Sequence, residues 1–480
     1  MVASEAAPFA KVGGLGDFSS ALTRYLSKAG HDVRLFLPAY GSIDWSDKEV
    51  GEVDFLRDLP IEMGDQTRRF TGLFTYLSGA SAQIYLIDSP ELYHRSGVYT
   101  DDSDEVVRFA FLSRAAIECC QRMGWAPHVF HCNDWHTSLL PVYLRSAFDW
   151  DGLFSSSRAM LTIHNIGYQG VFGAGAIPEI GLEASDRLFP REDLENDRIN
   201  LLKTGILRSD LITTVSPTHA REIQTEAYGM GLDRLLRHRA DRLVGILNGV
   251  DYEEWDPAHD RLLPKVYSRD DLRGKAQNKR LLLKEVSLPF TARTPLIGMV
   301  SRLVQQKGVD LMPEVLPRIL QERNCRLLIL GSGEDRYEKF FFGLQRQFPD
   351  KVFFYRGYHN ELAHRIEAAS DIYLMPSMYE PCGLNQMYSL RYGAVPVVRK
   401  TGGLADSVEP FDAATKQGTG FLFSTFTPPD FHAALAEALD TYAKPRLWRR
   451  LVRNGMSRDF SWERQVEKYV EVYRRLIQNG

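Results

Sequence analysis

Residues 371–391 read DIYLMPSMYEPCGLNQMYSLR. The apolar run 371–375 fits a short strand buried on both faces, and 384–391 fits a helix. Between them, Glu380 lies in a tight turn with Pro381 and Gly383 just after it. Strand, turn and helix make one half of a βαβ unit, and the same reading recurs along the chain. Candidate strands lie at 33–37, 84–87, 128–132, 159–163 and 211–215, then at 296–300, 326–330, 352–355, 395–398 and 420–423. They are brief, rich in Val, Ile and Leu, and not strictly alternating, as parallel strands covered on both faces should be. Segments of helical period separate them, so the fold class is α/β.

The series breaks at 248–257 (NGVDYEEWDP), where Asn248 and Gly249 open a polar segment in place of another core run. The chain of 480 residues has room for two or three domains. The break divides it into an N-terminal domain, 1–247, and a C-terminal one, 248–460. Residues 258–292 read as polar helices leading to the strand at 296. A last helix follows at 461–478, with Ser461 as a candidate N-cap. Trp462, Val466, Tyr469, Val470, Tyr473 and Ile477 share one of its faces, and it ends at 479–480.

Hydrophobic residues make up 44% and charged residues 25%, as in ordinary globular proteins. With a net charge of −4 and no basic domain, a nucleic-acid partner is not expected. The five cysteines, Cys119, Cys120, Cys132, Cys325 and Cys382, form no CxxC pair. They read as reduced thiols of a cytoplasm-like compartment. No apolar run reaches the roughly 18–20 residues of a membrane span, so no membrane partner is expected. The stretch MVASEAAPFAKVGGLGD lacks a basic segment followed by an apolar one, so a secretory signal is not expected.

Further loops share the pattern of a turn after a candidate strand. In KVGGLGD (11–17), Gly13, Gly14 and Gly16 precede a helix expected to start near Asp17. Glycines let backbone approach a ligand, a helix N-terminus offers N–H groups to an anion, and Lys11 adds a cation. A turn required only for packing fits the same residues. In SRLVQQKG (301–308), Arg302 and Lys307 follow the strand at 296–300, at the carboxyl end where open α/β sheets bind ligands. Such a pair can hold a diphosphate as it leaves, although solvated surface cations are common. KTGGLADS (400–407) repeats the strand, Gly-Gly turn and helix, with Thr401, Gly402 and Gly403 as phosphate donors or as packing. Glu380 can bind sugar hydroxyls or simply face the macrodipole of its helix. His164, Asn165, Asp134 and His136 each lie just after a strand. His131, Asp134 and His136 lack the clustering of a metal site, so no metal is expected. The basic run 446–453 (RLWRRLVR) reads as a solvated helix face.

The ordered set KVGGLGD, HNIGYQG, ILNGVD, SRLVQQKG, GYHNELAHRI, PSMYEPCGLNQ and KTGGLADSV spans essentially the whole chain. It resembles the bacterial and plant-type glycogen and starch synthases, which are ADP-glucose-using α-1,4-glucan glucosyltransferases. The resemblance implies the GT-B fold: two Rossmann-like, doubly wound domains facing across a cleft, the last helix (461–480) returning to the N-terminal domain. It implies glucose transfer from ADP-glucose to the non-reducing-end 4-OH of an α-1,4-glucan with retained configuration, no cofactor and no metal. The setting would be cytoplasmic, or plastidic for a plant-type source. By motif position, Lys11 and Gly14 would meet the donor phosphates and sugar, Asp17 and Asn248 the nucleoside, and Tyr358 the adenine. His164 would reach the glucose 6-OH, with Asn165 beside it. Arg302 and Lys307 would stabilise the leaving ADP. Glu380 would bind the 3-OH and 4-OH, with Cys382, Gly383 and Leu384 as backbone donors and Thr401 capping the phosphates. Asp134 and His136 would lie towards the acceptor.

Two departures qualify that resemblance. Many related transferases carry a second Glu eight positions after the first, where this chain has Tyr388. Tyr is usual there in the synthases, and it disfavours a double displacement by two Glu residues in favour of front-face transfer. The family also begins with several apolar residues before VASE, whereas Met1 directly precedes Val2 here, so a short first strand is expected. The rival readings are a UDP-glucose-dependent transferase with a small sugar acceptor and a non-catalytic glucan-binding homologue. A phosphorylase would need a pyridoxal-phosphate lysine context that the sequence lacks.

Overall fold

The computed structural model describes residues 1–77, 81–183 and 187–478, so the expected helix end at 479–480 lies outside the described residues. The chain forms two compact units. One comprises Met1–Val215, Ala220–Gly249 and the stretch from Trp462 onward, the other Ser216–His219 and Val250–Ser461.

In the first unit, α1 (Gly14–Lys28) precedes β1 (Arg34–Pro38), β2 (Leu59–Met63), β3 (Gln66–Tyr76) and β4 (Gln83–Asp88). Next come α2 (Glu105–Arg122), β5 (Val129–Asn133), β6 (Arg158–Ile163), β7 (Leu211–Thr214) and β8 (Leu243–Gly245). The pairings β4–β1 and β5–β6–β7–β8 are parallel. Val2 bridges Phe36 of β1 and Cys132 of β5 in parallel, joining the two halves. Val2 alone thus makes the bridges where a short first strand was expected.

The antiparallel β2–β3–β4 meander was not anticipated. In β2 only Ile61 and Met63 are buried, alternating with more exposed residues, so the β2–β3 hairpin carries no continuous apolar run. Gly64, at φ 65°, and Asp65 make the two-residue connection of a hairpin. Helix α1 begins three residues before its expected start at Asp17. Leu15, Phe18, Leu22, Tyr25 and Leu26 form its buried face.

The second unit contains α3 (Arg273–Glu285), β9 (Leu296–Val300), α4 (Met312–Glu322), β10 (Arg326–Gly331), α5 (Asp335–Gln347) and β11 (Val352–Arg356). It continues with α6 (Asn360–Ala369), β12 (Ile372–Met375), α7 (Asn385–Arg391), β13 (Val395–Arg399) and α8 (Gly402–Ser407). The unit closes with β14 (Phe421–Phe423), α9 (Pro428–Tyr442) and α10 (Pro445–Met456). Its all-parallel sheet runs β11-β10-β9-β12-β13-β14. The strand order therefore reverses between β9 and β12, the crevice where doubly wound sheets bind ligands. Ile297, Met299, Leu327, Ile329 and Leu374 enter one core cluster, and Leu296, Leu328, Leu330, Tyr373 and Met375 the other. Burial on both faces explains why these strands read as unbroken apolar runs.

Residues 258–272 are turns, not the helices expected there; only α3 is helical before β9. Asp256 Oδ1 accepts from Ala258 N–H and Asp260 Oδ1 from Leu262 N–H, so local side-chain bonds displace the helix. Helix α11 (Trp462–Gln478) packs Trp462, Val466 and Tyr469 against α1. Leu476 takes the buried position at its end, while Ile477, expected on that face, is exposed. Along α10 the four arginines of 446–453 are exposed opposite buried Trp448, Leu451 and Val452. Among the described residues, no helix is long and apolar enough to cross a membrane.

Candidate active site

The loops after β9 and β12 meet at the switch point of the second sheet. Lys307 Nζ lies 2.7 Å from Glu380 Oε2, which also accepts from Ser377 Oγ at 2.9 Å. Glu380 is only 4% exposed, so its charge depends on these partners. Gly308 has φ 72°, and an added Cβ would lie 1.9 Å from Pro376 O. The glycine lets the Lys307 turn press onto the Glu380 turn. Met378 N–H donates to Gln306 O at 2.8 Å, completing that seam. The third loop docks the same way: Gly403 N–H donates to Glu380 O at 3.0 Å. A Cβ on Gly402 would strike that carbonyl.

Cys382 is buried, Gly383 turns at φ 70°, and Leu384 precedes α7. Thr401 is fully buried at the start of α8. Arg302 is exposed, with no ion pair of its guanidinium among the described residues. Tyr358 is 67% exposed, and its hydroxyl donates to Asn360 Oδ1 at 2.8 Å. Tyr388 packs its ring at 4.0 Å on Trp255, which stacks at 3.7 Å on His364. An aromatic column therefore occupies the position where other transferases carry the second Glu.

The first unit gathers a separate set. Lys11 Nζ pairs with Asp17 Oδ1 at 2.7 Å, closing the glycine turn over the start of α1 beside Gly14. Beneath it, Glu5 Oε2 accepts the N–H groups of Val12 and Gly13 at 2.6 and 2.9 Å, and Glu5 Oε1 accepts from Tyr99 OH. The sequence does not reveal this bond pattern, because Tyr99 is 94 residues distant from Glu5.

Asp134, at φ 54° after β5, accepts from the N–H groups of His164 and Asn165 at 2.7 and 3.4 Å. Burial pushes its carboxyl up to about 7, against the pull of those N–H groups. The His164 ring contacts Asn133 Oδ1 at 2.9 Å and the edge of Phe18 at 4.5 Å. Burial pushes it down to about 3, so at neutral pH it is an uncharged hydrogen-bonding group. His136 is likewise pushed to about 3 by burial and packs against Trp135, Phe109 and Tyr99. Asn248 is buried, its Oδ1 without a hydrogen-bond partner among the described residues. His131 bonds Thr162 and Tyr473 and does not join Asp134 and His136.

Cations, a buried carboxylate and glycine turns at the switch point of a doubly wound unit, in a chain that also folds a second α/β unit, fit a GT-B glycosyltransferase. Residues 1–238 match the family described as the starch synthase catalytic domain, and residues 284–456 match glycosyl transferases group 1. A glycogen synthase of Anaeromyxobacter sp. (strain Fw109-5) is 44% identical over 99% of this chain and 98% of its own length. That of Syntrophotalea carbinolica is 43% identical over 100% and 98%. The solved catalytic domain of starch synthase IV from Arabidopsis thaliana, bound to ADP and acarbose, aligns with TM-score 0.92 and 35% identity over 99% and 98% of the two chains. The chain belongs to the glycogen and starch synthase family and is a glucosyltransferase of glucan synthesis.

Proposed function

We propose that the protein transfers glucose from ADP-glucose to the 4-OH at the non-reducing end of an α-1,4-glucan, with retention. The observation that carries the reading is the Lys307–Glu380 pair at the sheet's switch point. The pair makes a cation for the leaving phosphate and an acceptor for sugar hydroxyls into one rigid unit. Glu380 Oε2 is engaged by Lys307 and Ser377, so Oε1 would take the glucose 3-OH and 4-OH. Arg302 and Lys307 would stabilise ADP as the C1–O bond to phosphate breaks, while Thr401 and the N–H groups of Cys382–Leu384 bind its oxygens. As C1 bonds to the acceptor O4 on the same face, the acceptor proton would pass to the departing phosphate. Tyr388, packed on Trp255, offers no carboxylate for a covalent intermediate.

Tyr358, Asp17 and Asn248 are assigned to the nucleoside, and Lys11 and Gly14 to the phosphates and sugar. His164 and Asn165 are assigned to the glucose, and Asp134 and His136 to the acceptor side. The second unit is thus read as the donor half and the first as the acceptor half. ADP and acarbose on the starch synthase IV relative support a nucleotide donor and a glucan acceptor. The five buried thiols, with no disulfide among the described residues, fit a reducing, cytoplasmic setting.

The experiment is glucose incorporation into glycogen and maltose from ADP-, UDP- and GDP-glucose side by side. ADP-glucose should be used best. Lys307→Ala should lower kcat by about 10²–10³, the cost of losing a charge that stabilises the transition state. Glu380→Ala should abolish transfer, both variants keeping wild-type circular dichroism. Wild-type rates in either variant would sink the site assignment, and a UDP-glucose preference would sink the donor.

A further inference from the structure

Asn385 and Gln386, the last residues of the 376–386 turn region, take no part in the substrate contacts assigned above. Each nevertheless reaches a different neighbouring loop. Asn385 Nδ2 donates to Val300 O at 2.7 Å and lies 3.1 Å from Tyr373 OH. Val300 is the final residue of β9, directly before Ser301 and Arg302. The ladder between β9 and β12 covers only Ile297↔Ile372 and Gly298↔Tyr373, so the two strands part beyond it. Backbone groups facing that gap need other partners, because an unpaired buried amide is costly. Val300 N–H donates to Tyr373 OH at 3.0 Å, and Val300 C=O receives Asn385. A phenol and an amide thus replace the missing rung.

Gln386 is fully buried. Its Nε2 is 3.0 Å from Cys382 O, Gly383 O and Ser407 Oγ. Ser407 ends α8 and donates its hydroxyl to Gly403 O at 2.6 Å. Gln386 therefore ties the Cys382–Gly383 turn to the helix that follows Thr401. Adjacent amides on one helix start hold three loops in register, one on each side of the Glu380 turn.

We propose that Asn385 and Gln386 are positioning residues of the donor half: Asn385 sets the Arg302 loop against the Glu380 turn, and Gln386 sets the Thr401 turn. This rests on the assignment of those loops to the sugar nucleotide. Transition-state stabilisation is sensitive to misplacement of the order of 1 Å, so loosening either link should lower kcat by about tenfold to a hundredfold. The KM for glucan should stay within about twofold, since both residues bond only groups of the second unit.

The test is hydrogen–deuterium exchange of the unliganded protein, read together with transfer kinetics. In Asn385→Ala, amides of 299–307 should exchange at least about fivefold faster, with 401–407 unchanged. Gln386→Ala should give the reverse pattern. If Gln386→Ala does not fold, Gln386→Glu keeps the volume, removes the N–H donors and is read the same way. Exchange within about twofold of wild type at both segments would overturn the proposal, as would a raised glucan KM with kcat intact. A wild-type protein that transfers from no nucleoside-diphosphate glucose would overturn the functional reading instead, since the exchange pattern does not depend on it.

Discussion

Asp134 is where burial and chemistry conflict most directly. Its carboxyl sits at 8% exposure, supported by two backbone N–H groups and raised to about 7 from 3.8. Because the folded-state value lies above the unfolded one, the unfolded chain gives up its proton first. Asp134 therefore erodes stability as pH rises from about 4 to about 7, and no further above that. His164 and His136, lowered from 6.5 to about 3, act in the opposite sense. The stability they contribute is present above 6.5 and is lost as pH falls through about 3. Asp134→Asn removes only the first effect, and Asn tolerates the positive φ at this position. The variant should gain melting temperature relative to wild type progressively from pH 5 to pH 7. Thermal melts at pH 5, 6, 7 and 8 check this, and parallel profiles for the two proteins would refute the assignment.

Helix α7 shows how a single element is held from behind. Tyr388 stacks on Trp255 and Trp255 on His364, while His364 Nδ1 and Tyr392 OH both reach Asp260 Oδ2, at 2.8 and 2.7 Å. Arg391 pairs with Asp256 and lies over the Tyr252 ring at 4.3 Å. The segment after Val250 thus clamps the helix that begins at the Glu380 turn. Trp255→Leu removes two stacked contacts and should cost about 1–3 kcal/mol in urea unfolding. Loss of kcat should accompany it, and an unchanged midpoint would show that the column carries no stability. Little of this clamp was legible in the sequence, because Trp255 lies in a stretch that reads as polar and its partners are more than 100 residues away. The second unit's strands were legible, since burial on both faces leaves a continuous apolar run. The β2–β3 hairpin was not, since Glu62 and Arg69 on its exposed face, and half-buried Arg68 opposite Ile61, break that run. Among site residues, those on glycine turns after strands stood out. Asn385 and Gln386 did not, because an amide's role depends on which carbonyl lies opposite, and only the fold supplies that.

The two units differ in how their cores are closed. The second unit buries both faces of its sheet under helices from its own continuous stretch, 250–461. The first unit closes one face with α11, from the far end of the chain: Trp462, Val466 and Tyr469 join Leu15, Phe18, Leu22 and Met160. Phe18 is the link to chemistry, with Trp462 and Tyr469 each at 5.8 Å and His164 at 4.5 Å. Tyr473 OH adds a bond of 2.7 Å to His131 Nδ1 on β5. Removing residues 462–478 would strip the apolar cover from α1 and leave Phe18 unsupported beneath His164. A chain ending at Ser461 should therefore lose transfer activity. Its β5 and β6 amides should exchange faster by about tenfold or more, in line with an opening free energy reduced by at least 1.4 kcal/mol. Amides of β9, β10 and β12 should stay within about twofold, because their core receives nothing from α11. Equal acceleration in both units would show instead that the cores unfold together and that α11 stabilises the whole chain.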